Sequence, residues 1–212
     1  MLQTIIRPPK IAEDIALGIQ LAQMQNRPIG PGDVARILRE AGVKYVIVGA
    51  HALNGYTGRP RATVGVDVIV QHPKKAARAI AAAYPELQMQ DTPVVIRFKD
   101  EQNEAIDIMK PTGSPLWPRL LKDAREIRVA GMKLRVPTLE GILAAKFSSM
   151  SSPLRRLPDR QQDSVDFIRV VESNKRIDVK ILEELGNLVY AGGGKNLLQF
   201  IIDARAGKML NI

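Results

Sequence analysis

The chain has 212 residues, of which 45% are hydrophobic and 25% charged, so its composition predicts a globular protein of one domain with an appendage or of two small domains. The absence of cysteine excludes disulfides, thiolate metal sites and a cysteine nucleophile. The net charge of +9 favours anionic partners such as nucleotides or RNA, with a basic but unpartnered surface as the alternative, and the aromatic content of 4% argues against base stacking as the main binding device.

The first half of the chain alternates helical and extended patterns. Apolar residues at helical spacing predict a helix over residues 10–25, and Asp33 is the candidate N-cap of a second helix. Runs of β-branched residues predict strands over residues 45–48 and 63–70, and Pro73 opens an alanine-rich helix. The rest of this half is predicted as short strands and one short helix, at residues 87–90, 94–98, 105–109, 120–124 (the helix), 127–129 and 132–136.

The second half is helical in pattern. Thr138 is a candidate N-cap, and a basic loop over residues 151–160 follows the first helix. Further helices are predicted over residues 161–173, 179–190 and 195–206. No apolar run reaches the roughly 18 residues of a membrane helix. The N-terminus has no signal-peptide pattern. We therefore expect a cytoplasmic protein without a membrane partner.

These shifts in pattern predict an α+β fold in two parts. Residues 1–137 would form a small mixed β-sheet flanked by helices, with the N-terminal helices included. Residues 138–212 would form a helical C-terminal domain.

Two aspartates lie inside predicted strands. Asp67 and Asp107 each stand between apolar residues, so each carboxylate points to the face opposite its neighbours. An acid in such a run is costly to bury unless it is paired or bound to a metal. Together the two could hold Mg²⁺, which takes one or two protein carboxylates along with waters and substrate phosphates. The alternative is that each carboxylate faces solvent on a half-exposed sheet.

A small-residue turn and an acid-bearing strand follow each other in the first half. Gly49 and Ala50 form the turn after the first strand, and the segment RATVGVD runs from Arg61 to Asp67. This pattern resembles the nucleotidyltransferases of the DNA polymerase β superfamily, and in particular the Arg-x-Thr-x-Asp-h-Asp motif of abortive-infection toxin-type members. Asp107, on a later strand, is similar in place to the third acid of that family.

The second half carries a matching set of charged residues. Lys146 lies near the middle of a helix, and Arg160, Asp163 and Asp166 open the next one in the segment RQQDSVDF. They resemble the helix lysine and the Arg-x-x-Asp-x-x-Asp element of the same family, in the same order. The two aspartates could form part of the nucleotide site or an ion-paired brace between domains. Lys146 could contact phosphates, or extend to solvent along an amphipathic helix.

The resemblance implies transfer of a nucleoside monophosphate from an NTP to an acceptor hydroxyl. The implied catalytic residues are Asp67, Asp107, Lys146 and Asp163, with Asp67 and Asp107 as ligands of Mg²⁺. The implied nucleotide-binding residues are Gly49, Ala50, Arg61 and Thr63. The acceptor would be RNA, a protein or a small molecule, and the toxin-type members imply an antitoxin or toxin partner.

Gly65 is the main departure from the family pattern. It stands where the first acid of the pair is expected, and glycine supplies no ligand for a two-metal site. The sequence therefore leaves open a weak transferase and a catalytically inactive module that binds a nucleotide or a partner. His51 follows the turn and could contact phosphate or simply start a helix. Arg155 and Arg156 belong to a basic loop that could face RNA or only solvent.

Overall fold

The computed structural model of the chain describes residues 9–25, 29–101 and 103–212. Its helices are α1 (Ile11–Gln23), α2 (Pro31–Glu40), α3 (Gly49–Thr57), α4 (Pro73–Ala83), α5 (Leu116–Asp123), α6 (Leu139–Ser151), α7 (Leu157–Ser173), α8 (Val179–Asn187) and α9 (Gly193–Arg205). Its strands are β1 (Tyr45–Ile47), β2 (Val66–Val70), β3 (Gln88–Asp91), β4 (Val95–Lys99), β5 (Glu104–Met109), β6 (Arg125–Val129) and β7 (Met132–Val136). None of the described helices is long and apolar enough to cross a membrane.

A mixed sheet lies at the centre of the fold. Its strand order is β1–β2–β5–β4–β3, with β2 and β5 parallel and the other described pairs antiparallel. The strands β6 and β7 form a separate hairpin, in which Val129 lies opposite Met132. The predicted α+β class, a small mixed sheet flanked by helices with a helical C-terminal part, is confirmed.

Alternation along the central strands separates a core face from a polar face. The core face of β4 and β5 carries four buried side chains, Ile96, Phe98, Ile106 and Ile108. Full burial of such side chains contributes about 1.5–3 kcal/mol each, so this face determines which way the strands point. Arg97 and Asp107 are consequently held on the opposite face, where they are only partly exposed.

The helical part packs on the same hydrophobic core. Phe147, Phe167 and Leu182 are fully buried members of the cluster that also contains the sheet residues. Polar contacts tie α7 to α3, since the Ser173 hydroxyl donates to the Thr57 carbonyl at 2.6 Å. The division of the chain at residues 137 and 138 stays a prediction.

Some helix starts agree with the predictions, as at Pro73 of α4, and others differ. Thr138 caps α6 as predicted, accepting a hydrogen bond from the Gly141 amide at 3.2 Å. Asp33 is not the N-cap of α2, because the helix begins earlier, at Pro31, and the Asp33 carboxylate accepts from the Gly30 amide at 3.1 Å. Pro118 lies in the first turn of α5, where its missing N–H costs nothing, so this helix starts before the predicted residue 120.

Candidate functional site

A cavity of about 340 Å³ opens between the sheet, the first turn of α3 and the helices α6 and α7. Its size lies at the lower end of the range for small-molecule sites. All eight candidate site residues line it: Gly49, Ala50, Arg61, Thr63, Asp67, Asp107, Lys146 and Asp163. Residues from distant parts of the sequence therefore meet at one place, although their roles stay predictions.

Three charged side chains form a row across the sheet on the cavity side. Asp67 on β2 is the register partner of Asp107 on β5. Asp107 is in turn the register partner of Arg97 on β4. Register partners on neighbouring strands project to the same face, so the order along the row is acid, acid, base.

Arg97 binds Asp107 through two parallel hydrogen bonds. Its Nε donates to Oδ1 at 2.8 Å and its Nη2 donates to Oδ2 at 2.7 Å. Its Nη1 lies 2.5 Å from Oε1 of Glu104. The hydrogen bonds to Asp107 raise the pKa of Arg97, so the guanidinium stays charged. This two-point geometry is the strong form of an arginine–carboxylate pair.

The carboxyl group of Asp67 is held in an unfavourable setting for its charge. Burial, followed by the like charge of Asp107, raises the pKa of Asp67 to about 6. The cations Lys146 and Arg155 oppose this shift without cancelling it. Groups with such displaced pKa values in a cavity are typical of functional sites.

The turn at Gly49 brings backbone close to Asp67. Gly49 has φ +61°, and a Cβ at this position would lie 1.9 Å from Oδ2 of Asp67. Both the backbone angle and the close approach therefore require glycine. Gly49 and Ala50 line the cavity with the first turn of α3, whose N-cap, Val48, has no side-chain acceptor to offer the free amides.

Gly65 does not stand beside Asp67 on a strand face as the sequence pattern predicted. The strand β2 starts at Val66, and Gly65 lies in the bend before it. A Cβ on Gly65 would lie 2.6 Å from the carbonyl oxygen of Glu104 and 3.3 Å from that of Ala105. The missing acid thus has no room, because backbone of β5 occupies the space that its side chain needs.

We expect Gly65→Asp to lower the free energy of unfolding by about 1–3 kcal/mol, the usual cost of overpacking against a backbone that cannot yield. Gly65→Ala should cost nearly as much, because the clash already occurs at Cβ. Val64→Asp is the matched control, since Val64 is 44% exposed and one residue away. Urea denaturation of the three variants measures the difference, and a Gly65→Asp variant as stable as Val64→Asp would contradict the expectation.

Lys146 stands at the centre of a buried ion cluster beside the cavity. Its Nζ lies 2.7 Å from Oδ1 of Asp163 and 2.9 Å from Oδ2 of Asp166. Arg155 binds the other oxygen of Asp163, Nε to Oδ2, at 2.6 Å. Arg61 binds Asp166, Nη2 to Oδ2, at 3.1 Å. Asp163 lines the cavity, whereas Asp166 is fully buried and does not, and the roles of both residues stay predictions.

The loop that carries Arg61 is held by Asn54. The Asn54 amide donates to the Arg61 carbonyl at 2.9 Å and accepts from the Arg61 amide at 3.1 Å. The backbone of Arg61 is thus hydrogen-bonded by a side chain and not by a neighbouring strand, and β2 begins only at Val66.

His51 does not line the cavity. It is buried, and its Nδ1 finds no hydrogen-bond partner among the described residues. Burial, with a smaller effect of Arg61, lowers the pKa of His51 to about 4, so the ring is neutral at physiological pH. These findings favour the reading of His51 as a packed residue of α3.

The residues present do not fit a pair of metal ions. Within the described ranges, no three His, Cys, Asp or Glu side chains come together in a group that could hold a metal. Of the two candidate ligands of Mg²⁺, Asp107 is already bound at both oxygens by Arg97. A cation between Asp67 and Asp107 would have to share the Asp107 carboxylate with that guanidinium.

Sequence reasoning missed several residues of the cavity. Arg97 gave no signal, because its relation to Asp107 depends on strand register. Trp117 lay outside the predicted helix over residues 120–124, yet it lines the cavity from α5. Arg155 was assigned to a surface loop, and it reaches in from the segment before α7.

Comparison with solved structures identifies the fold. An antigenic nucleotidyltransferase-like protein from Paracoccidioides brasiliensis aligns with a TM-score of 0.51 and 15% identity, over 94% of this chain and 88% of its own. The antibiotic-resistance factor ANT(2'')-Ia aligns with a TM-score of 0.51 and 12% identity, over 79% of this chain and 90% of its own. The chain has the nucleotidyltransferase fold. No protein-family profile matches the sequence, and no curated protein is similar to it.

The nucleotidyltransferase fold explains why the predicted residues converge. The short motifs of the sequence predicted the nucleotidyltransferase fold, and the likeness to solved structures confirms that fold. At these identities the likeness concerns the fold alone, so the chemistry has to be argued from the cavity itself.

Proposed function

We propose that the chain binds the phosphates of a nucleoside triphosphate in this cavity, as a nucleotidyltransferase-fold module without two-metal transfer. The observation that carries the proposal is the meeting of a helix N-terminus with four cationic side chains in one cavity, namely Arg61, Arg97, Lys146 and Arg155. A phosphate chain needs this combination of backbone donors and fixed positive charge.

The first turn of α3 would supply the backbone donors. Its amides carry the positive end of the helix dipole and have no partner within the helix. Because Gly49 lacks a side chain and Ala50 has a small one, a phosphate could approach these amides closely. Arg61 and Thr63 would flank the same end of the cavity.

An apolar wall offers a place for the base or sugar. Val94, Ile142 and Trp117 line the cavity together with the charged groups. The indole of Trp117 is partly exposed, and an aromatic face of this kind stacks with any nucleobase. The cavity therefore offers both cationic groups for phosphates and apolar surface for a base or sugar.

Two observations argue against two-metal transfer. The first acid of the family pattern is absent, and the Glu104 carbonyl leaves no space for it at Gly65. Of the two acids that remain, Asp67 and Asp107, the second is already hydrogen-bonded by Arg97. Binding without two-metal chemistry is the function that this arrangement supports best.

Mg²⁺-dependent transfer of a nucleoside monophosphate is the second candidate. It is favoured by the side-by-side placement of Asp67 and Asp107, two carboxylates that one Mg²⁺ could share with substrate phosphates. An RNA or protein acceptor, a toxin or antitoxin partner and a cytoplasmic location belong to this proposal as predictions from the sequence.

Trp117 provides a direct test, because it is the only tryptophan of the chain and lines the cavity. ATP or GTP should quench its fluorescence in a saturable way. Arg155→Met should weaken this binding about tenfold, the value of one charge-assisted hydrogen bond. Arg156→Met is the matched control, because Arg156 is next to Arg155 in sequence, is exposed and does not line the cavity. The nucleotide affinity of Arg156→Met should stay within about twofold of the parent.

The same preparations decide between the two candidates. Incubation with Mg²⁺ and α-labelled NTP should leave no label on RNA or on protein. Label transfer that Asp67→Asn abolishes would establish the second candidate. Absence of nucleotide binding with and without Mg²⁺ would overturn both.

A further inference from the structure

We propose that Arg97, bound to both oxygens of Asp107, supplies the positive charge that a divalent cation on this carboxylate would supply, so that phosphate binding in this cavity is independent of metal. The proposal rests on the proposed function for its ligand, and on the sheet register for its geometry.

The position of Arg97 is the first argument. Arg97, Asp107 and Asp67 are successive register partners on three adjacent strands, β4, β5 and β2. They share one face of the sheet, and all three line the cavity. Arg97 therefore lies on the side of Asp107 away from Asp67, and it binds the carboxylate that a cation shared by the two acids would need.

The donors of Arg97 are the second argument. A guanidinium has five N–H groups in one plane. Two of them bind the two oxygens of Asp107, and Nη1 contacts Glu104. The remaining N–H groups can bind a phosphate oxygen while the contact with Asp107 is kept, as a metal ion bridges a carboxylate and a phosphate.

The neighbourhood of Gly65 is the third argument. A metal pair needs the acid that Gly65 lacks, and a side chain there would meet the Glu104 carbonyl. The same residue, Glu104, also contacts Arg97 through its carboxylate. The start of β5 therefore both excludes the lost ligand and supports the arginine that replaces the cation.

The proposal can be tested with Mn²⁺ alone and with inorganic tripolyphosphate. The unaltered chain should bind tripolyphosphate in EDTA as tightly as in Mg²⁺, measured by Trp117 fluorescence, and should show no saturable Mn²⁺ binding by electron paramagnetic resonance. Arg97→Met should lose about tenfold in tripolyphosphate affinity in EDTA and gain at least about tenfold in Mn²⁺ affinity, because both oxygens of Asp107 become free.

Two further variants complete the design. Arg97→Lys keeps a charge without the fork, so its tripolyphosphate affinity should fall between those of the parent and Arg97→Met. Arg128→Met, at an exposed strand position outside the cavity, should match the parent in both assays.

Saturable Mn²⁺ binding by the unaltered chain, or tripolyphosphate binding only with metal, would overturn the role of Arg97. Both measurements use the parent protein, so they decide the matter even where Arg97→Met fails to fold. Nucleotide binding that requires Mg²⁺ would leave the proposed function standing and remove this inference alone. Failure of every nucleotide to bind would remove the proposed function, and the Mn²⁺ measurement would still test Arg97.

Discussion

Replacing Lys146 by methionine is expected to lower the free energy of unfolding by about 3 kcal/mol at neutral pH. The Nζ of Lys146 contacts Asp163 at 2.7 Å and Asp166 at 2.9 Å. The side chains of these aspartates are only 4% and 1% exposed. Without the lysine, two buried carboxylates lose their shared cation. The expected cost is at the lower end of the ~3–5 kcal/mol for a broken buried pair, because Arg61 and Arg155 keep one contact each.

A matched control and an internal check accompany this prediction. Lys180→Met removes an exposed lysine from α8 and should change stability by no more than about 0.5 kcal/mol. The double variant Lys146→Met with Asp163→Asn should recover part of the loss, because one of the stranded charges is removed. Urea denaturation measures all four proteins, and a cost below about 1 kcal/mol for Lys146→Met would contradict the prediction.

The stability that Asp166 contributes to the ion cluster depends on pH. Burial alone would raise the pKa of Asp166, but its contacts with Lys146 and Arg61 hold that pKa below its usual value. Its contribution to stability is therefore present above the pKa of the unfolded chain and is lost as the pH falls through the folded pKa. Because Lys146→Met is expected to be less stable, a loss of nucleotide binding in this variant has to be distinguished from a loss of folded protein.

Asp67→Asn is expected to stabilise the chain at neutral and higher pH. The pKa of Asp67 is raised from 3.8 to about 6, so between these values the folded chain binds more protons than the unfolded chain. Raising the pH across this window therefore lowers the free energy of unfolding of the parent, by about 3 kcal/mol in total. Asparagine avoids this loss, so the variant should match the parent near pH 4 and exceed its stability by up to about 3 kcal/mol near pH 7.5.

His51 should change stability with pH in the opposite direction over nearly the same pH range. The pKa of His51 is lowered from 6.5 to about 4, so the unfolded chain binds more protons between these values and stability rises with pH. The two contributions oppose each other in the parent, so His51→Gln should leave the fall due to Asp67, while Asp67→Asn should leave the rise due to His51. Chemical denaturation at several pH values between about 4 and 8 measures both slopes. A lower stability of Asp67→Asn than of the parent at pH ~7.5 would show that the carboxylate is stabilised by its neighbours.

The gain expected for Asp67→Asn has a bearing on function. A residue that costs stability in its charged form, in a cavity that also holds Arg97 and Lys146, is typical of a site kept for binding rather than for folding. The same variant serves in the transfer assay, so one protein reports both the energetic cost of the carboxylate and its part in chemistry.

The fold and the order of the motif residues could be predicted well from local pattern. β-Branched runs, glycine turns and the Thr138 cap depend on neighbours in the chain, and the residues around Asp67, Asp107 and Lys146 stood in a recognisable order. The extent of β2 was predicted wrongly, since the strand begins at Val66 and the backbone of Arg61 is hydrogen-bonded by the side chain of Asn54, a contact that local pattern does not encode.

Local pattern along the chain was thus sufficient for the fold class, and the resemblance of short motifs to a known family supplied the candidate residues and the expectation of an acid at position 65. Contacts between distant segments decided how the charged groups of the cavity are arranged. The parallel pairing of β2 with β5 places Asp67 beside Asp107, the antiparallel pairing of β4 with β5 places Arg97 on that same carboxylate, and the Glu104 carbonyl closes the space at Gly65. Asp107 is forty positions from Asp67 and ten from Arg97, and no short-range pattern in the sequence encodes the register that joins them.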